Sequence, residues 1–299
     1  MRVEECVVED VLLPHKRFEG LWESIVLDGS EKTRLLHHAL LAVEVRSKLP
    51  FATTALHGLL LLLGPPGTGK TTLARALPME LAGLVEGGRA RLIEINPHGL
   101  MSAEHGQSQQ LVTTLLCDHI PALAADGVPT VALLDEVESM AVSRSEASLA
   151  ANPADVHRAT DAVLAAMDRN ATTHPHIVAV ATSNFPKALD EAFRSRADLT
   201  IELPLPNTAA LRRILSSTLE GFGGVYPSLT KLSRDARLSK VAAAIRGADG
   251  RRARKVVTEA LALRLESVLD PNALKIEDLM CAARMVTSPQ PSRGKDAKV

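Results

Sequence analysis

The sequence predicts an α/β protein whose parallel, five-stranded sheet is covered by helices on both faces and is followed by a small all-α unit. Short apolar segments alternate with segments of helical periodicity as far as Leu203, which is typical of a parallel sheet buried on both faces. A glycine-rich octapeptide joins the first strand of this series to a helix. After Pro204 and Pro206 only helical segments follow, and this change predicts the second unit.

The predicted elements follow one another in a regular order. The first helix begins after Gly29-Ser30, a plausible N-cap, and ends near Arg46. The predicted strands are 59–63, 91–95, 130–134, 177–181 and 200–203, and the helices among them are 70–84, 108–125 and 155–169. The later helices are 209–219, 240–245, 251–269 and 276–285. The predicted domains are an N-terminal arm (1–20), a large αβα nucleotide-binding domain (21–205), a small helical lid domain (206–288) and a disordered tail (289–299).

Composition restricts the class of protein. The chain has 299 residues, and its 34 basic residues nearly balance 35 acidic ones, so no net field attracts it to nucleic acid or to a membrane. Aromatic residues make up only 2%, so aliphatic side chains must fill the core. Cys6, Cys117 and Cys281 show no metal or redox spacing, which favours free thiols in a reducing compartment. With no apolar leader at the start, we expect a cytoplasmic protein.

The octapeptide Gly64-Pro65-Pro66-Gly67-Thr68-Gly69-Lys70-Thr71 is the most informative segment. It follows an apolar strand and precedes a helix, the context that a phosphate-binding loop requires. Backbone N–H groups of the loop and the positive helix N-terminus would surround a triphosphate. Lys70 would contact the β- and γ-phosphates, and the Thr71 hydroxyl would bind Mg²⁺. The predicted residues for binding ATP with Mg²⁺ are therefore Gly64, Pro66, Gly67, Thr68, Gly69, Lys70, Thr71 and Thr72.

Two further strands end in polar residues. Strand 130–134 is followed by Asp135 and Glu136. In a nucleotide hydrolase Asp135 would bind Mg²⁺ with Thr71, and Glu136 would polarise the attacking water. Strand 177–181 leads to Asn184, whose amide would bind that water or the γ-phosphate at the same edge of the sheet. Alone, each feature also suits a solvated strand end or a turn, but beside the phosphate loop they predict ATP hydrolysis.

These motifs together resemble an AAA+ ATPase, and several stretches resemble the pachytene checkpoint protein type, the ATPases that remodel HORMA-domain proteins. The resemblance runs from Leu21 to about Met285. It implies the fold predicted above and a ring-forming motor. The stretches that carry it are 21–26 (LWESIV), 95–98 (INPH), 134–139 (LDEVES), Arg158 with 161–164 (DAVL), 181–184 (ATSN) and 192–198 (AFRSRAD).

The resemblance also implies roles for single residues. Arg196 matches the arginine that would reach the γ-phosphate of a neighbouring subunit, with Arg194 as a second candidate, so hydrolysis would depend on assembly into a homo-hexamer. Arg251 matches the small-domain arginine that senses the nucleotide. The loop that would line a central pore falls on 99–106. There Met101, Glu104 and His105 stand where the family normally has an aromatic residue that grips the substrate.

The short N-terminal segment resembles the bacterial branch of this family, whose members accompany HORMA proteins and cyclic-oligonucleotide synthases in antiphage defence. The resemblance therefore implies a remodeller of HORMA-domain complexes. Two alternatives stay open: an AAA+ ATPase acting on DNA, such as a helicase loader or transposition regulator, and a nucleotide-binding scaffold without catalysis. Balanced charge disfavours the first, and the presence of Glu136, Asn184 and Arg196 disfavours the second.

Overall fold

The computed structural model describes residues 3–27, 29–96, 108–143 and 153–287, which form two compact units that divide between Pro204 and Leu205. The strands found in the larger unit are β1 Val7–Leu13, β2 Leu59–Leu63, β3 Ala90–Ile95, β4 Thr130–Leu134, β5 Ile177–Ser183 and β6 Leu199–Glu202. Its α-helices are α1 Leu21–Ser24, α2 Glu31–Arg46, α3 Phe51–Thr54, α4 Lys70–Ala82, α5 Ser108–Thr114, α6 Ile120–Leu123, α7 Pro153–Thr173 and α8 Glu191–Ser195. The smaller unit contributes α9 Thr208–Gly223, α10 Pro227–Ser233, α11 Leu238–Ala244, α12 Gly250–Ala262, α13 Leu265–Leu269 and α14 Ile276–Thr287.

The sheet has the strand order β1-β3-β4-β5-β2-β6. Strands β2 to β6 are parallel as predicted, with Leu59 of β2 beside Ala179 of β5, for example. The predicted strand count of five was wrong, because β1 adds a sixth strand, antiparallel to β3. This strand lacks the continuous apolar signal of the others since it lies at the sheet edge. Glu9 and Asp10 interrupt it, and Leu13 is its one fully buried residue.

Strand β2 lies between two layers of core. Leu59, Leu61 and Leu63 belong to an apolar cluster with residues of α5, α6 and α7. Leu60 and Leu62 belong to a second cluster with residues of α2 and α4. Successive side chains of a strand point to opposite faces, so helices cover both faces of the sheet, as the apolar strands predicted.

Two predicted helices are interrupted. The segment predicted as one helix over 108–125 contains a π-helical turn at Leu115–His119, followed by Pro121, which has no backbone N–H to donate. The helix predicted over 251–269 is wrong as a single element, since α12 ends at Ala262 and α13 begins at Leu265. Between them Arg264 adopts extended backbone angles and donates to the carboxylate of Asp278. That contact between distant segments overrides the local helical preference.

The smaller unit is helical throughout residues 208–287 apart from its connections, and strands are absent from its described part. Among the residues that the structure describes, no helix is both long enough and apolar enough to span a bilayer. Cys6 and Cys117 are buried, Cys281 is exposed, and all three are free thiols.

Candidate functional site

The glycine-rich loop leaves β2 at Gly64 and enters α4 at Lys70. Gly64 has a φ of 146°, and a Cβ placed there would lie 2.2 Å from the carbonyl oxygen of Leu203. Gly69 has a φ of 98°, and a Cβ there would lie 2.6 Å from Ile25 Cδ1. Only glycine suits both positions, because a side chain would clash and would strain the backbone. The loop conformation thus depends on these residues and on packing from distant segments.

Lys70 is the first residue of α4, and its ammonium group lies inside the loop. Its Nζ donates to the carbonyl oxygens of Gly64 and Pro65 at 2.8 and 2.9 Å and to Asn184 Oδ1 at 2.8 Å. Burial lowers the pKa of Lys70, while the carboxylates of Glu138, Asp135 and Glu136 act in the opposite direction. A phosphate oxygen would have to replace one of these three acceptors.

Thr71 and Asp135 meet where β4 approaches α4. The Thr71 hydroxyl donates to Asp135 Oδ1 at 2.7 Å, although 64 residues separate the two in sequence. Hydroxyl and carboxylate oxygens are the hard ligands that Mg²⁺ prefers. This donor set, placed beside the amino end of α4, therefore suits a magnesium ion bound to phosphate.

Glu136 and Asn184 connect the ends of β4 and β5. Asn184 Nδ2 donates to Glu136 Oε1 at 3.1 Å, and its Oδ1 accepts from Lys70, so the amide links the lysine to the acid. The backbone N–H of Asn184 donates to Glu138 Oε1 at 3.1 Å. Glu136 has φ 54° and ψ 50°, left-handed angles that are uncommon for a residue with a side chain. The structure therefore brings the predicted Lys70, Thr71, Asp135, Glu136 and Asn184 together at one sheet edge.

Arg196 lies at the opposite edge of the sheet, three residues before β6 begins at Leu199. Its Nε and Nη2 donate to the two carboxylate oxygens of Asp168 at 2.7 and 2.8 Å, and its Nη1 donates to the carbonyl oxygen of Ala192 at 2.9 Å. This pair raises the pKa of Arg196 and lowers the pKa of Asp168. Arg194 is exposed on α8. Arg196 is thus separated from the phosphate loop of its own chain by the length of the strands.

Comparison with known proteins assigns the family. The model of the ATPase family associated with various cellular activities (AAA) matches residues 60–205. The chain is 45% identical to CD-NTase-associated protein 6 of Pseudomonas aeruginosa over 283 residues, 95% of this chain and 93% of that protein. The chain belongs to the AAA ATPase family. It is also 35% identical to the pachytene checkpoint protein 2 homolog of Arabidopsis thaliana over 70% of this chain, but over only 45% of the plant protein.

Solved structures of this family have the same fold. The structure of C. elegans PCH-2 superimposes with a TM-score of 0.74 at 24% identity, covering 94% of this chain and 75% of that one. A chain of the E. coli MS115-1 HORMA:CdnC:Trip13 complex gives a TM-score of 0.74 at 20% identity, covering 97% and 98% of the two chains. The AAA fold inferred from the motifs is thereby confirmed, and so is the resemblance to the pachytene checkpoint protein type.

The AAA site includes two polar residues to which sequence reasoning gave no role. Thr182 is 1% exposed and bonds to both Asp135 and the backbone of Glu136. Glu138 accepts from the backbone of Asn184. A threonine inside the apolar strand β5 was a usable signal for the first, because buried hydroxyl groups are almost always hydrogen-bonded. Glu138 could not be found in this way, because it meets Asn184 only through the short helical turn that follows β4.

The other predicted residues have different positions. Thr72 follows Thr71 in α4, Pro66 is exposed in the loop, and Thr68 Oγ1 donates to the carbonyl oxygen of Pro65 at 2.9 Å. Arg251 is exposed in the first turn of α12, in the smaller unit. The proposed pore-loop residues Met101, Glu104 and His105 and the tail 289–299 lie outside the residues that the structure describes.

Proposed function

We propose that this AAA ATPase hydrolyses ATP to ADP and phosphate at the sheet edge formed by β2, β4 and β5. Lys70 and the loop N–H groups bind the phosphates, and Glu136 orients the attacking water and accepts its proton. Asn184 keeps the Glu136 carboxylate next to the Lys70 ammonium. Thr71 and Asp135 would hold Mg²⁺, which when bound would supply positive charge to stabilise the transferring phosphoryl group.

The observation that carries this proposal is the amide of Asn184 bound to both Lys70 and Glu136. A lysine that binds the γ-phosphate and an acid that activates the attacking water must act on the same phosphorus atom, so both must be held in a fixed relation. A scaffold that only binds nucleotide requires the lysine and not the acid. The arrangement therefore supports hydrolysis over binding alone.

For the assembly, we propose a homo-hexamer in which Arg196 completes the site of the neighbouring subunit. Arg196 lies at the sheet edge opposite to its own loop, which supports a role across an interface. Arg251 is proposed to contact the nucleotide from the lid domain at 206–288. We also propose that Met101, Glu104 and His105 contact the substrate, that the tail at 289–299 is disordered and that the protein is cytoplasmic.

For the target, we propose a HORMA-domain protein that acts with a cyclic-oligonucleotide synthase in bacterial antiphage signalling. Support comes from the 45% identity, over nearly the whole chain, to a protein named for its association with a CD-NTase. The similar fold found in a HORMA:CdnC:Trip13 complex agrees with this. ATP hydrolysis would disassemble or convert the HORMA complex and so end the signal.

The test is Glu136→Gln in the full-length protein. We expect this variant to bind a fluorescent ATP analogue as tightly as the unchanged protein, to release no phosphate, and to remain bound to a HORMA-domain partner in ATP. Glu44→Gln is the matched control, because Glu44 lies on α2 and pairs only with Lys48 among the described residues. Full phosphate release by Glu136→Gln would remove Glu136 from its role.

A further inference from the structure

The hydroxyl of Thr182 joins β5 to the two acidic residues that follow β4. Its Oγ1 donates to Asp135 Oδ1 at 2.5 Å and accepts from the backbone N–H of Glu136 at 3.1 Å. One hydroxyl therefore fixes the side chain of one acid and the backbone of the next. The parallel register explains the contact. Leu134 pairs with Ala181, so the residues that follow them, Asp135 and Thr182, also lie side by side.

The environment of Thr182 leaves little freedom to this hydroxyl. Thr182 is 1% exposed and belongs to β5, which lies between β4 and β2 in the sheet. Asp135 Oδ1 accepts from Thr182 and from Thr71, so one oxygen atom receives two hydroxyl groups. This double contact restricts the rotation of the carboxylate.

The hydrogen bond from the backbone N–H of Glu136 to Thr182 holds the glutamate in an uncommon conformation. Glu136 holds left-handed angles, φ 54° and ψ 50°, which a residue with a side chain adopts only when its surroundings enforce them. Thr182 anchors the N–H of that residue, and the carboxylate of Glu136 is reached by Asn184 from the end of the same strand. Thr182 of β5 and Asn184, the residue after the end of β5, thus hold the backbone and the side chain of one glutamate.

We infer that Thr182 is a positioning residue for hydrolysis, which orients Asp135 and keeps Glu136 in its strained backbone conformation. This inference rests on the proposed hydrolysis of ATP with Glu136 as the base. Without the hydroxyl, the N–H of Glu136 loses a buried acceptor and the Asp135 carboxylate is free to rotate. Both acids then depart from the geometry that the reaction requires, whereas Lys70 and the phosphate loop keep theirs.

The test compares Thr182→Val, which keeps the shape and removes the hydroxyl, with Thr182→Ser, which keeps the hydroxyl. We expect Thr182→Val to lower kcat about 10- to 100-fold, as a misplaced catalytic group does, with KM and the affinity for a fluorescent ATP analogue nearly unchanged. Thr182→Ser should restore kcat to within about threefold of the unchanged protein.

Thr130→Val is the matched control. Thr130 is 0% exposed, belongs to the same sheet and donates its hydroxyl to the carbonyl oxygen of Val128 at 2.8 Å, at the amino end of β4. Its loss removes a buried hydroxyl far from the site, so kcat should stay close to that of the unchanged protein. If Thr182→Val does not fold, Thr182→Ala against Thr182→Ser makes the same comparison.

Each outcome decides between two claims. Loss of kcat in Thr182→Val with rescue by serine supports the inference. Three results overturn it: an unchanged kcat in Thr182→Val, an equal loss of kcat in Thr130→Val, or a Thr182→Ser variant as slow as Thr182→Val. The proposed function survives these results as long as Glu136→Gln is inactive. An active Glu136→Gln overturns the proposed function itself, and the inference with it.

Discussion

Arg196 and Asp168 form a two-point ion pair at the amino edge of the parallel strands, with both carboxylate oxygens bound by one guanidinium group. The phosphate loop leaves the other edge, and the five residues of β2 between the edges span about 16 Å. An arginine side chain held at the first edge cannot contact a phosphate bound at the second edge of the same subunit. Any contact between Arg196 and a nucleotide must therefore join two copies of the chain.

The first prediction follows from that separation. Arg196→Ala should keep nucleotide affinity and lower turnover by about 10³-fold or more, because the charge on the γ-phosphate loses its partner. Mixing Arg196→Ala with Lys70→Ala should restore part of the phosphate release, since the second variant supplies the arginine and the first supplies an intact loop. Arg194→Ala tests the second candidate and should retain most activity, since Arg196 makes the contact. Arg212→Ala, which removes an exposed arginine of α9, is the control. Mixed assemblies that form but stay inactive would contradict a contact between subunits.

The second prediction concerns pH. Lysine binds phosphate in its charged form, so affinity is complete below the pKa of Lys70 and declines as pH rises through it. Burial lowers this pKa, so the loss of ATP-analogue affinity on raising the pH should set in at a pH lower than about 10.4, the ordinary pKa of lysine. Glu138→Gln removes a carboxylate that raises the pKa of Lys70 and should move the decline to lower pH. Titrations from pH 7 to 10 check this, with Glu44→Gln as the control. Superimposable curves for the two variants would show that Glu138 does not act on Lys70.

The third prediction concerns Gly58, which precedes β2. A Cβ at Gly58 would lie 1.8 Å from Nη1 of Arg46, whose buried guanidinium donates to the carbonyl oxygens of Ile177 and Asn170. Burial lowers the pKa of Arg46 to about 10, so displacement of this charge from its acceptors is costly. Gly58→Ala should therefore lower the free energy of unfolding by at least about 2 kcal/mol more than the same substitution at a glycine that has similar backbone angles and no close neighbour.

Gly127→Ala provides that comparison. Gly127 has a φ of 73° against 71° for Gly58, and nothing lies within 4 Å of a Cβ built on it. Its substitution should cost about 1–2 kcal/mol, the penalty of left-handed angles alone. Urea unfolding of both variants measures the difference. Equal losses would mean that Arg46 moves aside without cost.

The fourth prediction concerns the ion pair between Arg75 of α4 and Glu94 of β3. Arg75 Nε and Nη2 donate to the two oxygens of Glu94 at 2.6 and 2.5 Å, and the Glu94 side chain is only 6% exposed. Arg75→Ala leaves this carboxylate buried without its cation, so it should destabilise the protein by about 2–3 kcal/mol. Lys48→Ala, which breaks an exposed pair with Glu44 on α2, should cost about 0.5 kcal/mol. Similar losses in the two variants, measured by urea unfolding, would mean that Glu94 is solvated without Arg75.

The residues that meet at the candidate site were predictable because short contiguous segments mark them. An apolar strand, a glycine turn, Lys70 and a helix form one local unit, and that unit specifies its own backbone. The strand ends followed by Asp135 and Asn184 were also recognisable from a few neighbouring residues, and parallel strands place such ends at one edge of the sheet. The helical layers followed from the continuous burial of strands such as β2. What these patterns lacked was any information about partners distant in the chain.

The sequence by itself determined the α/β fold class and picked out the phosphate loop and the polar strand ends of the candidate site, since hydrophobic periodicity and turn chemistry act over a few neighbouring residues. The tertiary structure alone decided that β1 joins the sheet edge, that Thr182 holds Asp135 across 47 residues, and that Arg46 bonds to Ile177 across 131. Such contacts depend on strand register and on how layers pack. Side chains far apart in sequence acquire their partners only when the whole sheet has formed.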